Sequence, residues 1–501
     1  MKKALASIRR AWPALLAAGL LSLAFPPANV ALIVFIALAP WLASLRDTDG
    51  RGACKSGWIF GFVYFLFQMF WLVPFVSHWT GSYLLAAIPW VLAAAIAGLY
   101  YVLTGWLIHR CWKLSRPWVI PLVWAGSEAA RSYIHELAFP WGIAAMPLWR
   151  FPAIVQHAAW GTLFLVSAWV ILPNLLAAMY IWPTDKSEGS LSTVRKVWRY
   201  GGVFVGLLAL SLVRYGQPQE GESFTVTVGQ TGVDVAFGDP ETRASDLAQS
   251  IDLILAAAVL QGADLVVLPE GTTSPSTMIP PPEFAGREPE TPVLFGGNRV
   301  DADGKTYQTA IAYTGDGWAH ADKTRLVIFG EYVPLRDSLP FLKAFDLPSG
   351  DITPADKLSV IEINGVIVGP MLCFEGVFPD IAEREGRMGA QLLAVMSIDD
   401  WYVGTMAHDQ LWMSTVWRSI ESGLPLVRAA STGVSLATDS RGNLLEVAPT
   451  GLTVPMDVEL IVPAGSDAAP YRFAFVWLCW LAMAWIGLES VVRPRLGRGE
   501  K

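Results

Sequence analysis

The chain has 501 residues, of which 53% are hydrophobic, with 23 tryptophans and a formal net charge of −7. So apolar a composition excludes an ordinary soluble protein, and the acidic balance argues against a nucleic-acid partner. The apolar excess is confined to residues 12–215 and 471–491, while 217–470 has globular alternation and is long enough to bury a core of its own.

A helix needs about 20 apolar residues to cross a bilayer. Eight stretches qualify as candidates, near 12–25, 28–45, 57–78, 83–109, 117–134, 153–182, 199–215 and 471–491. The first is short and runs into Phe25-Pro26-Pro27, and Lys2, Lys3, Arg9 and Arg10 precede it, so a cleaved signal peptide is the alternative. A second apolar stretch follows at once and no small-residue cleavage site is clear, which favours a retained span. Arg46, Arg51 and Lys55, then Arg110, Lys113 and Arg116, then Lys186, Arg195, Lys196 and Arg199 fall in alternate loops on the side of the N-terminal basic cluster. By the positive-inside rule these loops are cytoplasmic. The expected organisation is a membrane domain of seven transmembrane helices over 1–216, an extracytoplasmic domain over 217–470, and an eighth helix with a basic cytoplasmic tail over 471–501.

Within 217–470 short apolar runs alternate with helical periodicity. Strands are predicted at 224–228, 265–268, 293–296, 308–313, 360–363, 366–372, 392–396, 426–429 and 434–437. Leu247, Ile251, Ile254, Leu255 and Ala258 mark a helix that ends at Gly262, and a second runs from about Met406 to Ser422. Such alternation predicts a layered α/β domain. Two irregular stretches interrupt it, 272–292 and 331–351, the second carrying Phe341, Leu342 and Phe345 among prolines. Loops tipped with large apolar residues either touch lipid or fold back on the core.

Cys373 is the one cysteine of this domain, at the end of the apolar run Val366–Leu372 and ahead of Phe374-Glu375-Gly376. Cys54, Cys111 and Cys479 lie in or beside spans, so Cys373 has no disulfide partner in its own domain. It is either a small buried hydrophobe or a nucleophile presented by a rigid strand end. Glu270 closes Val266-Val267-Leu268-Pro269, and Lys323 stands in Asp322-Lys323-Thr324-Arg325. Ligands gather at the carboxyl ends of strands in α/β sheets. There a carboxylate can take a thiol proton, and a lysine can stabilise a thiolate and a tetrahedral oxyanion.

The words around these residues make the set specific. Leu268-Pro269-Glu270, Lys323-Thr324-Arg325-Leu326 with Phe329-Gly330-Glu331-Tyr332-Val333-Pro334, and Cys373-Phe374-Glu375 resemble the nitrilase superfamily. That resemblance implies an α-β-β-α sandwich and a Glu-Lys-Cys triad. With the apolar stretches, it narrows to the apolipoprotein N-acyltransferases of bacterial inner membranes. Leu23 to Pro27, Phe139-Pro140-Trp141, and Asp399-Asp400-Trp401 through His408 to the Arg428 region also look like segments of that family.

The resemblance implies catalytic roles for Glu270, Lys323 and Cys373, a phospholipid as acyl donor, and a diacylglyceryl apolipoprotein as acceptor at the periplasmic face. It assigns supporting roles to Glu331 and Glu375. Phe237, Phe374, Trp401, Phe341 and Trp141 are candidate substrate contacts; Phe374 stands where the family often has Tyr, and Phe237 where a Trp is expected. Within the membrane segment Glu128 and Arg131, three apart on one predicted helix, can pair; a head-group role and snorkelling are both open to them. His157 and His408 lack metal-ligand spacing, and no zinc motif, P-loop or dinucleotide fingerprint is present, so no metal or cofactor is expected. Two rivals remain: a membrane-tethered amidase using the same triad with water as acceptor, and a non-catalytic scaffold or transporter.

Overall fold

The computed structural model describes residues 2–133, 138–181, 190–286, 288–333, 336, 347 and 350–496. Phe341, Leu342 and Phe345 lie outside the described residues. The chain divides into two compact units, one of Met1–Gly216, Thr405–Gln410 and Tyr471–Lys501, the other of Gln217–Gly404 and Leu411–Pro470.

All eight apolar stretches contain helix, in unequal pieces. Tyr83–Lys113, Ala158–Tyr180 and Ala474–Val492 are each long and apolar enough to cross a membrane alone, and Gly50–Gln68 with Leu72–Thr80 does so as a pair bent by 60°. The stretch near 28–45 is broken into a 3₁₀ turn Ala31–Phe35 and a helix Ala39–Ser44, and that near 117–134 gives a 3₁₀ turn Pro117–Val119 and a helix Ile120–Tyr133. Pro240–Gln261 also meets the length and hydropathy test, but it is a helix of the other unit. Leu84, Ile88, Leu92 and Ile96, four residues apart, form an exposed apolar stripe on Tyr83–Gly98. A stripe of that kind suits lipid rather than water.

Irregular backbone among apolar helices needs internal hydrogen-bond partners, and polar side chains supply them. Buried Asn174 accepts from Leu38 N at 2.8 Å and donates to Val34 O at 2.7 Å, tying down the broken 31–44 segment. Glu128 and Arg131 do the same for residues 139–144. Glu128 Oε1 accepts from Ala144 N at 2.8 Å, while Arg131 Nη1 donates to Phe139 O at 2.7 Å and to Trp141 O. The Arg131 guanidinium also lies over the Phe65 ring, 4.9 Å from its centroid. Trp141 is buried in this packing, its Nε1 donating to Gln68 O at 3.2 Å and its ring stacked on Phe139.

The second unit is built from two six-stranded sheets. Its strands are β1 (Glu222–Gln230), β2 (Leu265–Val267), β3 (Val293–Val300), β4 (Thr306–Tyr313), β5 (Trp318–Asp322), β6 (Ile361–Ile363), β7 (Val366–Leu372), β8 (Leu392–Ser397), β9 (Leu426–Ala430), β10 (Leu436–Thr438), β11 (Leu444–Val447) and β12 (Val454–Val462). The sheet orders are β12-β1-β2-β3-β4-β5 and β11-β10-β9-β8-β7-β6. Each has a parallel centre, β1-β2-β3 in one and β7-β8-β9 in the other, flanked by antiparallel strands.

Period-2 alternation sorts side chains between two layers. Val226, Val228, Leu265, Val267 and Leu294 pack with Val368, Leu372, Leu392, Ala394, Met396 and Val427 in one core shared by the sheets. The intervening Val266, Leu268, Val293 and Phe295 pack with Ile251, Ile254 and Ala258 of Pro240–Gln261. That helix starts at Asp239, whose side chain accepts from Glu241 N, and stops at Gly262 in the left-handed conformation. On the other sheet, Glu385 of the helix Pro379–Arg387 lies against Gly369 of β7. Helix, two sheets and helix form the expected α-β-β-α sandwich.

Three strands and one helix were not predicted: β5, β11, β12 and Pro379–Arg387. The sequence of β12 does alternate, with Met456, Val458, Leu460 and Val462 buried and Asp457, Glu459 and Ile461 exposed. β11 is exposed throughout, so burial imprints no alternation on it. The helix Pro379–Arg387 is short and strongly charged, which hides its apolar face in a sequence scan.

Candidate active site

Three strand ends of the sandwich converge. β2 runs through Leu268-Pro269 to Glu270, which is 4% exposed. Gly296 of β3 permits its position, because a Cβ there would stand 2.7 Å from Glu270 Cα. Glu270 Oε1 is buried and has no hydrogen-bond partner among the described residues.

Lys323 follows β5, and its side chain is fully buried. Its Nζ donates to Gln308 Oε1 on β4 at 2.7 Å and to Glu331 Oε1 at 2.6 Å. Glu331 is held in turn by Val327 N, which donates to its Oε2 at 2.9 Å. Two directed bonds therefore fix the ammonium, and Glu331 offsets the cost of burying it.

Cys373 is the first residue after β7 and has a φ of +47°. That left-handed conformation costs a non-glycine residue on the order of 1 kcal/mol, and it is sustained by the turn Cys373–Val377. Glu375 secures the turn. Its Oε2 accepts from Leu372 N at 3.1 Å. Its Oε1 accepts from Thr324 N at 2.8 Å, Thr324 Oγ1 at 2.8 Å and Arg325 N at 3.1 Å. One buried carboxylate thus joins the Cys373 turn to the segment that carries Lys323.

The three groups act on one another electrostatically. Burial pushes the Glu270 carboxyl up to about 7, with Lys323 opposing and Glu331 adding to the shift. Burial alone would lower the Lys323 pKa, but Glu331 and Glu270 outweigh it and hold the ammonium above its ordinary value. The thiol keeps a partly open face, yet burial, with the Glu270 charge, pushes it up to about 12 despite Lys323 and the neighbouring Ser397 hydroxyl, both of which favour the thiolate. The resting site therefore holds a neutral thiol, an ammonium, and a carboxyl poised to exchange a proton near neutrality.

Phe237 and Trp401 form an edge-to-face pair with centroids 5.1 Å apart. Asp400 holds both segments, accepting from Val235 N at 2.8 Å, from Ser431 Oγ at 2.8 Å and from Thr432 Oγ1. Phe374 is half-buried and packs edge-on to Phe378. Trp141 belongs to the other unit. Sequence reasoning missed Gln308, Ser397 and the structural part of Asp400. Asp399 and Arg428 were noticed only as family-like segments, yet they form a buried bidentate ion pair, with bonds of 2.6 and 2.8 Å. A single charge inside an apolar run, as at Arg428 within Leu426–Ala430, is the available signal.

Comparison with known proteins agrees with this architecture. Residues 225–456 match the carbon-nitrogen hydrolase family model, so the sandwich is a carbon-nitrogen hydrolase domain. Residues 17–176 match the model described as the apolipoprotein N-acyltransferase N-terminal domain. With both in one chain, this protein belongs to the apolipoprotein N-acyltransferase family. It is 27% identical over 488 residues to the apolipoprotein N-acyltransferase of Geobacter metallireducens, covering 93% of this chain and 92% of the relative. It is 29% identical over 481 residues to that of Allorhizobium ampelinum, covering 88% of each. Among solved structures, Saccharomyces cerevisiae Nit3, a member of branch 10 of the nitrilase superfamily, aligns with 17% identity and a TM-score of 0.38 over 49% of this chain and 93% of that chain.

Proposed function

We propose that this protein transfers an acyl chain from a phospholipid, through a thioester on Cys373, to the N-terminal α-amine of the diacylglyceryl-cysteine of an apolipoprotein. The observation that carries the reading is Cys373 in a left-handed turn at the end of β7, under the joint influence of Glu270 and Lys323. It sits in a chain that also bears the N-terminal domain of the acyltransferase family.

A thiol held near 12 is almost wholly protonated at neutral pH, so attack requires a base in the same step. Glu270, with no partner on Oε1, takes the proton as sulfur attacks the ester carbonyl. Lys323 Nζ stabilises the oxyanion, its charge maintained by Glu331. Collapse breaks the ester C–O bond, Glu270 returns the proton to the departing lysophospholipid oxygen, and the acyl group remains on sulfur. The acceptor amine then attacks the thioester carbonyl and gives a proton to Glu270. Expulsion of sulfur forms the amide, and that proton restores the thiol.

In this reading the chain crosses a bacterial inner membrane eight times and holds the catalytic domain on the periplasmic side. The alternating basic loops and the apolar stripe on Tyr83–Gly98 support it. The purified protein, exposed to a phospholipid alone, should gain the mass of one acyl group on Cys373, and Cys373→Ala should gain none. Addition of a diacylglyceryl peptide should discharge the adduct as acylated peptide. Discharge only to free fatty acid would instead identify a hydrolase, and full N-acylation by Cys373→Ala would refute the mechanism.

A further inference from the structure

β7 and β8 run parallel with Leu372 beside Met396, so the next residues, Cys373 just past β7 and Ser397 closing β8, stand side by side. Ser397 is 1% exposed, and its Oγ donates to Asp399 Oδ1 at 2.8 Å. Asp399 is gripped by Arg428, whose Nη1 donates also to Val434 O at 2.7 Å. Gly433 closes over the pair, where a Cβ would come within 2.0 Å of Asp399 Oδ2. A buried ion pair gives little stability over apolar packing of the same shape. What this one does supply is a fixed acceptor beside a hydroxyl that neighbours the nucleophile.

We propose that Ser397, backed by Asp399 and Arg428, is a positioning residue for Cys373 whose single hydroxyl proton swivels between Asp399 and the sulfur during turnover. The inference rests on Cys373 being the nucleophile. A serine hydroxyl has one proton and two acceptor lone pairs. In the resting site the proton is on the Asp399 side. As Glu270 removes the thiol proton, the hydroxyl turns to donate to the developing thiolate, a charge-assisted bond. Asp399 is not stranded, because both guanidinium bonds remain. Once the sulfur is acylated it loses its charge, and the hydroxyl turns back. No covalent bond changes at Ser397.

The charged and titratable groups facing the sulfur are Glu270 beyond β2, Lys323 beyond β5, Asp399 beyond β8 and Tyr402 in the turn that follows, while Glu375 of the Cys373 turn spends its oxygens on Leu372, Thr324 and Arg325. Ser397 and Tyr402 add uncharged hydroxyls, and Ser397 is the one on the strand beside β7.

The test is the pH profile of iodoacetamide alkylation at Cys373 in the full-length detergent-solubilised protein, followed by peptide mass spectrometry. Ser397→Ala should move the profile to higher pH and slow alkylation about tenfold below the midpoint, a shift of about one pH unit. Ser397→Thr should restore the parent profile. Asp399→Asn removes the charge that competes for the hydroxyl proton and should shift the profile to lower pH. Opposite shifts support the inference; coincident profiles, or shifts of the same sign, overturn it. If Ser397→Ala does not fold, Asp399→Asn decides alone, and a profile that fails to move down overturns it. Failure of the unmodified chain to acquire an acyl group from phospholipid would refute the proposed function separately, since alkylation uses no lipid.

Discussion

Replacing Glu270 by Gln should abolish acyl transfer and at the same time stabilise the fold, in a manner that depends on pH. Glu270 is 4% exposed, and burial raises its pKa from an ordinary 4.5 to about 7. In the folded protein it keeps its proton up to about pH 7, while in the unfolded chain it loses it near 4.5. Between those values the folded state binds the additional proton, so stability falls as pH rises through the window. Above pH 7 the accumulated penalty is about 2.5 pH units at 1.36 kcal/mol each, or about 3 kcal/mol as an upper bound. Glutamine is isosteric and neutral, and Lys323 retains its 2.6 Å bond to Glu331. At pH 8 the variant should therefore unfold roughly 5–10 °C higher than the parent, and at pH 4 the difference should vanish. Acyl-enzyme formation should fall by at least about a hundredfold, the usual contribution of a positioned base. Thermal unfolding at the two pH values, beside mass spectrometry of Cys373, measures both effects. Undiminished acylation, or a stability difference independent of pH, would refute the assignment.

Three further outcomes follow from the same geometry. The rate of Cys373 acylation by phospholipid should rise with pH through about 7, as Glu270 loses its proton and becomes able to accept another; stopped reactions read by mass spectrometry would trace it. Glu375→Gln places an amide donor against backbone donors and should destabilise the domain by roughly 2–3 kcal/mol, while slowing acylation because the Cys373 turn and the Lys323 segment lose their common anchor; melting and acylation are measured together. Gly296→Ala forces a Cβ to within 2.7 Å of Glu270 Cα and should cost about 1–3 kcal/mol through overpacking, with a slower acylation step that a Gly→Ala change on an exposed loop would not produce.

Much of the sandwich was legible because its parallel strands are continuous apolar runs. Val366–Leu372 was read with its observed limits, and Gly262 with its capping role. β12 was overlooked although its alternation is plain, whereas β11, exposed along its length, gave no pattern to find. The eight apolar stretches were visible as hydropathy, but the breaks at 36–38 and 69–71 were not. Partners far along the chain meet the backbone at both places, Asn174 at Leu38 and Val34 and Trp141 at Gln68 O.

By itself the sequence marked which residues are candidates to carry chemistry. A lone thiol at a strand end, a glutamate after Leu-Pro and a lysine before Thr-Arg need only local patterns to be noticed. Tertiary structure decided what those groups are. The Glu270 carboxyl titrates near neutrality only because the sheets bury it, and Lys323 stays charged only because Glu331 and Glu270 stand beside it. Ser397, Asp399 and Arg428 meet beside Cys373 because β8 lies between β7 and β9. Burial and cross-strand neighbours are properties of the packed chain, and no window of sequence contains them.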